Sequence, residues 1–307
     1  MKIYLSNLNE SWVVDRFRED WYKYNQSIST EKISKADIVW IISPWTWKKI
    51  NKKYLKSKKV LCSIYHIDFE KFSDSDKDEF YQRDQFVDEY HVISLKTQQQ
   101  LRQLTDKKIT SIPFWIDQNL FFEIKNKEAL REKYGFKKND FIIGSFQRDT
   151  EGSDLSSPKL IKGPDIFLEI TKKLLKSNKD IKILLTGKRR QFLINNFKQY
   201  SVPYKYFEMV DIEVINELYN ILDLYIVTSR TEGGPQAILE CAITKTPIIS
   251  TDVGVASEIL HEDSIFKVDS FHDAKANTIY AFKQVQEFKI PIGMKKHLSL
   301  LTRIYEN

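Results

Sequence analysis

The chain has 307 residues, room for about two domains of ~150 residues each, and its 42% hydrophobic and 29% charged content is that of a globular protein with an ample core. Its nine glycines all lie at or beyond Gly135, which excludes an N-terminal G-x-G-x-x-G dinucleotide fingerprint, and no G-x-x-x-x-G-K-[ST] phosphate loop occurs anywhere. The net charge of +6 is local: residues 48–59 hold seven lysines and no acid, leaving 41 basic against 42 acidic residues elsewhere, so a uniformly basic nucleic-acid binder is excluded.

In the first third, short apolar strands at Lys2–Leu5, Asp37–Ile42, Lys59–Ile64, Glu89–Ile93 and Ile109–Ile112 alternate with helical patterns at Glu10–Tyr24, Trp45–Lys56, Lys77–Phe86 and Leu95–Leu104. Runs such as IVWII and VLCSI suit a parallel sheet covered on both faces. The alternation breaks over 113–138 and then restarts. Strands are predicted at Asp140–Phe146, Ile181–Thr186, Lys205–Val210, Asp223–Thr228 and Pro247–Ser250, with helices at Gly163–Ser177, Arg189–Gln199, Ile212–Ile221 and Ala237–Ile243. Two successive β/α runs predict two doubly wound domains, at 1–117 and 118–290, with a last helix in 291–307 returning to the first. Cys62 and Cys241 form neither a disulfide framework nor a metal cluster. Met1-Lys2 leads into a short apolar run without a signal peptide, and no apolar stretch reaches the ~18 residues of a membrane span. The expected location is cytoplasmic, where the sequons at Asn9 and Asn25 carry no glycosylation meaning.

In doubly wound sheets, ligands bind beyond the carboxyl ends of the strands. The strand ending near Thr228 runs into Ser229, Arg230, Thr231, Glu232, Gly233, Gly234 and Pro235, and then a helix. Glycines there let the backbone approach a ligand, and a helix N-terminus beginning with proline is a seat for a pyrophosphate. Glu232 and Glu240 flank that seat, and carboxylates accept from vicinal hydroxyls. The combination suits a ligand with hydroxyls at both ends of a diphosphate.

The stretch Glu232-GGPQAIL-Glu240, set between D-L-Y-I-V-T-S and P-I-I-S-T-D-V-G, resembles the donor-site signature of retaining GT-B glycosyltransferases of family 4. The resemblance spans about 110–270. It takes in LLTGK, ending at Gly187 and Lys188, the helix-and-strand run VDIEVINELYNILDLYIVTS, and SIPFWIDQNLF, where Trp115 replaces the usual glycine. It implies a GT-B fold, α/β, with two Rossmann-like domains whose parallel sheets face a central cleft. It also implies that Glu232 binds the hexose hydroxyls and Glu240 the ribose hydroxyls. Arg148 and Lys162, with Lys159 as the alternative, neutralise the donor diphosphate. Gly144, Gly187, Lys188, Ser229, Arg230, Gly233, Gly234 and Pro235 complete the donor-binding set. His66, after a buried strand, is expected near the reacting sugar.

The implied activity is transfer of a hexose, with retention and without metal or other cofactor, from a nucleoside diphosphate sugar to a glycan or lipid-linked acceptor. A nucleotide-sugar epimerase and a non-catalytic assembly partner are the alternatives. Asp74-Ser75-Asp76 superficially matches a D-x-D metal motif, but Glu79 and Gln85 fail the calcium-loop pattern, so a solvated helix start is expected. On paper, Trp45 to Lys56 is an amphipathic helix, with Trp47, Ile50, Tyr54 and Leu55 on one side and Lys48, Lys49, Lys52, Lys53 and Lys56 on the other. Such a surface would attract an anionic membrane, as a peripheral enzyme with a lipid-linked acceptor requires.

Overall fold

The computed structural model describes residues 1–7 and 13–307. The first three residues of the predicted helix at Glu10–Tyr24 and the sequon at Asn9 lie outside the described residues. The chain divides into two compact units, Met1–Trp115 with Phe288–Asn307, and Ile116–Glu287.

In the first unit the chain runs β1 (Ile3–Leu5), α1 (Val13–Tyr24), β2 (Ile38–Ile41), α2 (Lys52–Ser57), β3 (Lys59–Ile64), α3 (Asp74–Asp84), β4 (Glu89–Val92), α4 (Leu95–Leu101) and β5 (Ile109–Ser111). All five strands pair in parallel in the order β1-β2-β3-β4-β5. A single bridge, Ile3 to Ser29, adds a rudimentary strand on the outer side of β1. With that strand counted, the chain steps outward first and then back across β1 to β2. The rule of right-handed crossovers therefore puts α1 on one face and α2, α3 and α4 on the other. The cores agree: Val14, Phe17 and Trp21 pack with Ile3, Leu5 and Trp40, whereas Leu55, Phe80 and Leu101 pack with Val39, Ile41 and Val60.

The second unit runs α5 (Lys127–Lys133), β6 (Phe141–Ser145), α6 (Pro164–Ser177), β7 (Ile181–Thr186), α7 (Gln191–Gln199), β8 (Tyr204–Phe207), α8 (Ile212–Ile221), β9 (Leu224–Val227), α9 (Gln236–Thr244), β10 (Ile248–Thr251), α10 (Ala256–Ile259), β11 (Ile265–Phe266) and α11 (Thr278–Val285). Its six parallel strands stand in the order β11-β10-β9-β6-β7-β8. The winding reverses between β6 and β9, the switch point at whose carboxyl ends doubly wound sheets bind their ligands. Helix α5 falls in the charged stretch that sequence reading leaves as a joint. It is fastened to this unit by Arg131, which bonds Asp223 at 2.6 Å and the Ile221 carbonyl at 3.0 Å. The preceding segment is tied to α8 through Phe122 N to Asn216 and Ile124 N to Asn220 at 3.1 and 2.7 Å.

The last helix, α12 (Ile292–Glu306), belongs to the first unit. Met294, Leu300, Leu301 and Ile304 join the α1 face of the sheet. His297 stacks on Phe114 and Trp40, and its ring lies 4.9 Å from that of His91. His91 in turn closes a buried chain: Trp40 Nε1 donates to Ser63 Oγ at 2.8 Å, Ser63 Oγ meets His91 Nδ1 at 2.8 Å, and His91 Nε2 reaches the Ile112 carbonyl at 2.7 Å.

The single helix predicted from Trp45 to Lys56 is a correction. A 3-10 turn, Pro44–Lys49, ends at Ile50 in extended backbone, and α2 starts afresh with Asn51 accepting from the Lys53 amide. The break lets Trp47, Ile50 and Leu55 all reach the core while the lysines stay outside. Asp74 and Asp76 sit in the first turn of α3, where Asp76 closes a capping box with Ser73.

Candidate active site

Two loops meet at the β6/β9 reversal. Gly163 and Thr228 fix their approach. Gly163 has φ +63°, and a Cβ there would fall 1.8 Å from the Thr228 carbonyl oxygen. Thr228 Oγ1 donates back to the Gly163 carbonyl at 2.8 Å. The amide of Arg230 donates to the Ile161 carbonyl at 2.8 Å, so the loop after β9 runs alongside the turn before α6. A third loop closes in behind: a Cβ on Gly254, with φ +53°, would sit 2.4 Å from the Gly233 carbonyl oxygen. Glycine is required at both positions by backbone conformation and by space.

This packing brings the Lys162 ammonium against Glu232 Oε1 in a close ion pair, with the Glu232 side chain 11% exposed. Ser229 Oγ donates to the same carboxylate oxygen at 3.1 Å and also lies 3.2 Å from Gln147 Oε1. The Gln147 amide in turn holds the Lys162 carbonyl at 2.8 Å. Arg148 is exposed, and its Nε donates to the Thr150 carbonyl at 2.8 Å. Lys159 is half-buried, and its ammonium is held below the usual lysine range first by burial and then by the charges of Arg148 and Lys162. Three cations thus crowd one loop with the carboxylates of Glu151 and Glu232 near them, an arrangement that a polyanion would relieve.

Helix α9 starts at Gln236, with Pro235 as the residue just before it rather than in its first turn. Glu240 is buried on its inner side and accepts from Tyr219 OH at 2.8 Å. Of the remaining predicted residues, Gly233 is buried and Gly234 partly so, both in the turn ahead of α9. Lys188 is exposed after β7, next to Gly187, whose φ is +90°. Arg230 does not project toward the carboxylate cluster. Its guanidinium clamps Asp165 at 2.8 and 2.6 Å and the Leu160 carbonyl at 2.7 Å, which locks the β9 loop to the start of α6. Gly144 is a packing glycine within β6: a Cβ there would meet Leu222 at 2.3 Å. His66 belongs to the first unit. It is exposed on the loop after β3, beside a cavity of 360 Å³. Trp45 is 38% exposed, Trp47 is buried with Nε1 donating to Glu79 at 3.2 Å, and Lys48 pairs with the same Glu79 at 2.7 Å. Lys49, Lys52 and Lys53 are exposed.

Sequence reading missed the support beneath the Arg148 loop. Arg190 is fully buried and bonds Asp149 at 2.8 Å, the Ser145 carbonyl at 2.5 Å and the Thr186 carbonyl at 2.8 Å. Burial raises the Asp149 pKa, and the adjacent guanidinium opposes the rise. The two residues are 41 apart and belong to no local pattern.

A site of this make, cationic loops and a carboxylate at the switch point of a parallel sheet, can hold a diphosphate with hydroxylated groups on either side. No curated protein sequence matches the chain. Solved structures do. The Anabaena protein HepE, crystallised with UDP and glucose, superposes with TM-score 0.74 over 98% of this chain and 100% of its own, at 14% identity. A sucrose-phosphate synthase from Thermosynechococcus elongatus gives 0.72 over 96% and 77%, at 13% identity. A glycosyltransferase from Rickettsia africae gives 0.67 over 98% and 84%, at 19% identity. At these identities the likeness establishes the fold, GT-B, with two parallel-sheet α/β domains. The model of the glycosyl transferases group 1 family matches residues 126–284, more than half of the chain, including the loops at the β6/β9 reversal. The chain belongs to the glycosyl transferases group 1 family and is a glycosyltransferase.

Proposed function

We propose that the protein transfers a hexose from a nucleoside diphosphate sugar to a glycan or lipid-linked acceptor, with retention of configuration and without a metal ion. The observation that carries this reading is the juxtaposition of Lys162, Lys159 and Arg148 with Glu232 at the β6/β9 switch point. The three cations take the place a metal would otherwise fill, stabilising the charge that grows on the departing diphosphate. Glu232, held by Ser229, accepts from the sugar hydroxyls once Lys162 turns to the phosphate. Glu240, steadied by Tyr219, accepts from the ribose. Gly233 and Gly234 let the α9 N-terminus approach the pyrophosphate, and the leaving diphosphate takes the acceptor proton on the face it vacates. His66 is assigned to the sugar or the leaving phosphate. HepE was crystallised with UDP and with UDP-glucose, which makes a uridine nucleotide the first donor to try here. The exposed lysines 48, 49, 52, 53 and 56 support attraction to an anionic cytoplasmic leaflet, at about 1 kcal/mol each. No helix among the described residues is long and apolar enough to cross a membrane.

Melting scans of the full chain against UDP, GDP, ADP and their sugars identify the donor by the rise in melting temperature that a native-state ligand gives. With that donor, Lys162→Ala and Glu232→Ala are each expected to lower transfer by about 10²–10³-fold. Wild-type turnover in either would sink the assignment. Undiminished transfer in a chelator and an α-anomeric product from an α-linked donor are the outcomes expected for metal independence and retention.

A further inference from the structure

The first unit holds a cavity of 360 Å³ that the donor site does not use. It opens at the carboxyl end of β3, between the loop of His66 and helix α3, and is of a size for one small polar ligand. Its inner wall carries Ile64, Phe80, Leu104 and Arg83. Arg83 is 6% exposed, and its Nε has no hydrogen-bond partner. Among the described residues it forms no ion pair; its guanidinium lies 5.1 Å from the centre of the Phe80 ring. The Glu79 carboxylate, which lines the same cavity, feels its charge without forming an ion pair with it, and both nearby carboxylates are held by other groups. Glu79 is held by Lys48 at 2.7 Å and Trp47 at 3.2 Å, and Asp84 accepts from Tyr90 at 2.9 Å and Thr105 at 3.1 Å. At the rim stand Trp45, His66, Asp68, Lys71 and Asp76, the last held by Ser73 at 2.6 and 2.9 Å.

A buried guanidinium with no carboxylate hydrogen-bonded to it is costly, and a ligand that supplies one recovers that cost on binding. The deep charge is a cation, so the group that reaches it is an oxyanion, for which the planar fork of arginine is suited to two parallel hydrogen bonds. The rim offers what a sugar ring uses, carboxylates that accept from hydroxyls. We propose that this cavity binds an acidic sugar, its carboxylate or phosphate on Arg83, as part of the acceptor. The acceptor role rests on the glycosyltransferase reading above; the binding itself does not.

The test is calorimetric titration of the full chain with D-glucuronate and with glucose 6-phosphate, in saturating UDP so that the donor loops are filled, with glucose as the neutral control. At least one anionic sugar is expected to bind ten-fold or more tightly than glucose, and the two arms distinguish carboxylate from phosphate. Arg83→Met is expected to lose at least ten-fold of that affinity, and the exposed Lys71→Glu several-fold, with UDP affinity unchanged in both. Arg83→Met should also melt no lower than the wild type without ligand, since it removes a buried charge that no carboxylate pairs directly. Binding of glucose as tight as the anions, no binding of either anion, or full affinity in Arg83→Met would each overturn the proposal. Failure of UDP to bind would instead strike at the donor reading, and the anion titrations, repeated without UDP on Lys162→Ala protein, would still decide for or against the cavity.

Discussion

Single atoms decide how the loops at the β6/β9 reversal fit. The room for Gly163 is set by one carbonyl oxygen, that of Thr228, and the room for Gly254 by that of Gly233. Gly163→Ala combines a clash with a backbone conformation that L-residues adopt at a cost of about 1–3 kcal/mol. The expected outcome is a loss of stability of at least that size in urea titrations, together with loss of donor binding as Lys162 moves off Glu232. A stable Gly163→Ala protein with unchanged donor affinity would show that the two loops need not touch. The Lys162–Glu232 pair is legible in sequence only as two separate motif positions. That Lys162 is the lysine paired with Glu232, while Lys159 stands half-buried behind it, is decided by the turn at Gly163. Arg230 shows the converse: its place in the motif stretch suggested a ligand contact, and its reach places it on Asp165.

At the scale of elements, the Arg148 loop depends on an ion pair that links it to the start of α7. Removing one member of a buried pair leaves the other charge without a partner, at about 3–5 kcal/mol. Arg190→Met is therefore expected to be destabilised by that amount, and Asp149→Leu combined with Arg190→Met to recover most of it. Chemical denaturation of the two singles and the double checks this; a double no better than either single would mean that Arg190 acts through its carbonyl bonds to Ser145 and Thr186 rather than through Asp149. The elements themselves were largely legible. Near-continuous apolar runs marked β3 and β7 to the residue, because strands covered on both faces are mostly apolar through their length and stand out against polar flanks. The segment from Trp45 to Lys56 was not, because helical spacing of Trp47, Ile50 and Leu55 is satisfied equally by two short turns hinged at Ile50. Nor was α5, whose face toward α8 is anchored by Arg131 rather than by an apolar stripe.

For the molecule as a whole, each unit encloses its own cores, and acid should act first on the one built around α12. His91 and His297 are fully buried among Trp40, Phe114 and Trp115. Burial lowers the His91 pKa to about 4 and pushes that of His297 well below the usual histidine value. In the unfolded chain both would titrate near ~6.5. Because the folded values are depressed, the unfolded state takes up protons first as pH falls. Stability is full above about 6.5 and drops by about 1.4 kcal/mol per pH unit for each histidine between there and the folded value. Calorimetric scans from pH 7.5 to 5 should show the melting temperature falling, with the fall reduced in His297→Phe. An unchanged slope in that variant would show that His297 is not the group responsible.

By itself the sequence determined the class of architecture and pointed to the loops proposed to hold the donor. Alternating β/α patterns, glycine confined to the second half, and two glutamates framing a glycine turn after a buried strand are local, periodic signals that survive without coordinates. Only the tertiary structure decided which charges meet. Lys162 reaches Glu232 across 70 residues, Arg190 reaches Asp149 across 41, and Arg83 forms no ion pair among the described residues. Such pairings carry no period and no spacing rule; they follow from where the sheet reverses its winding and which loops that reversal brings together.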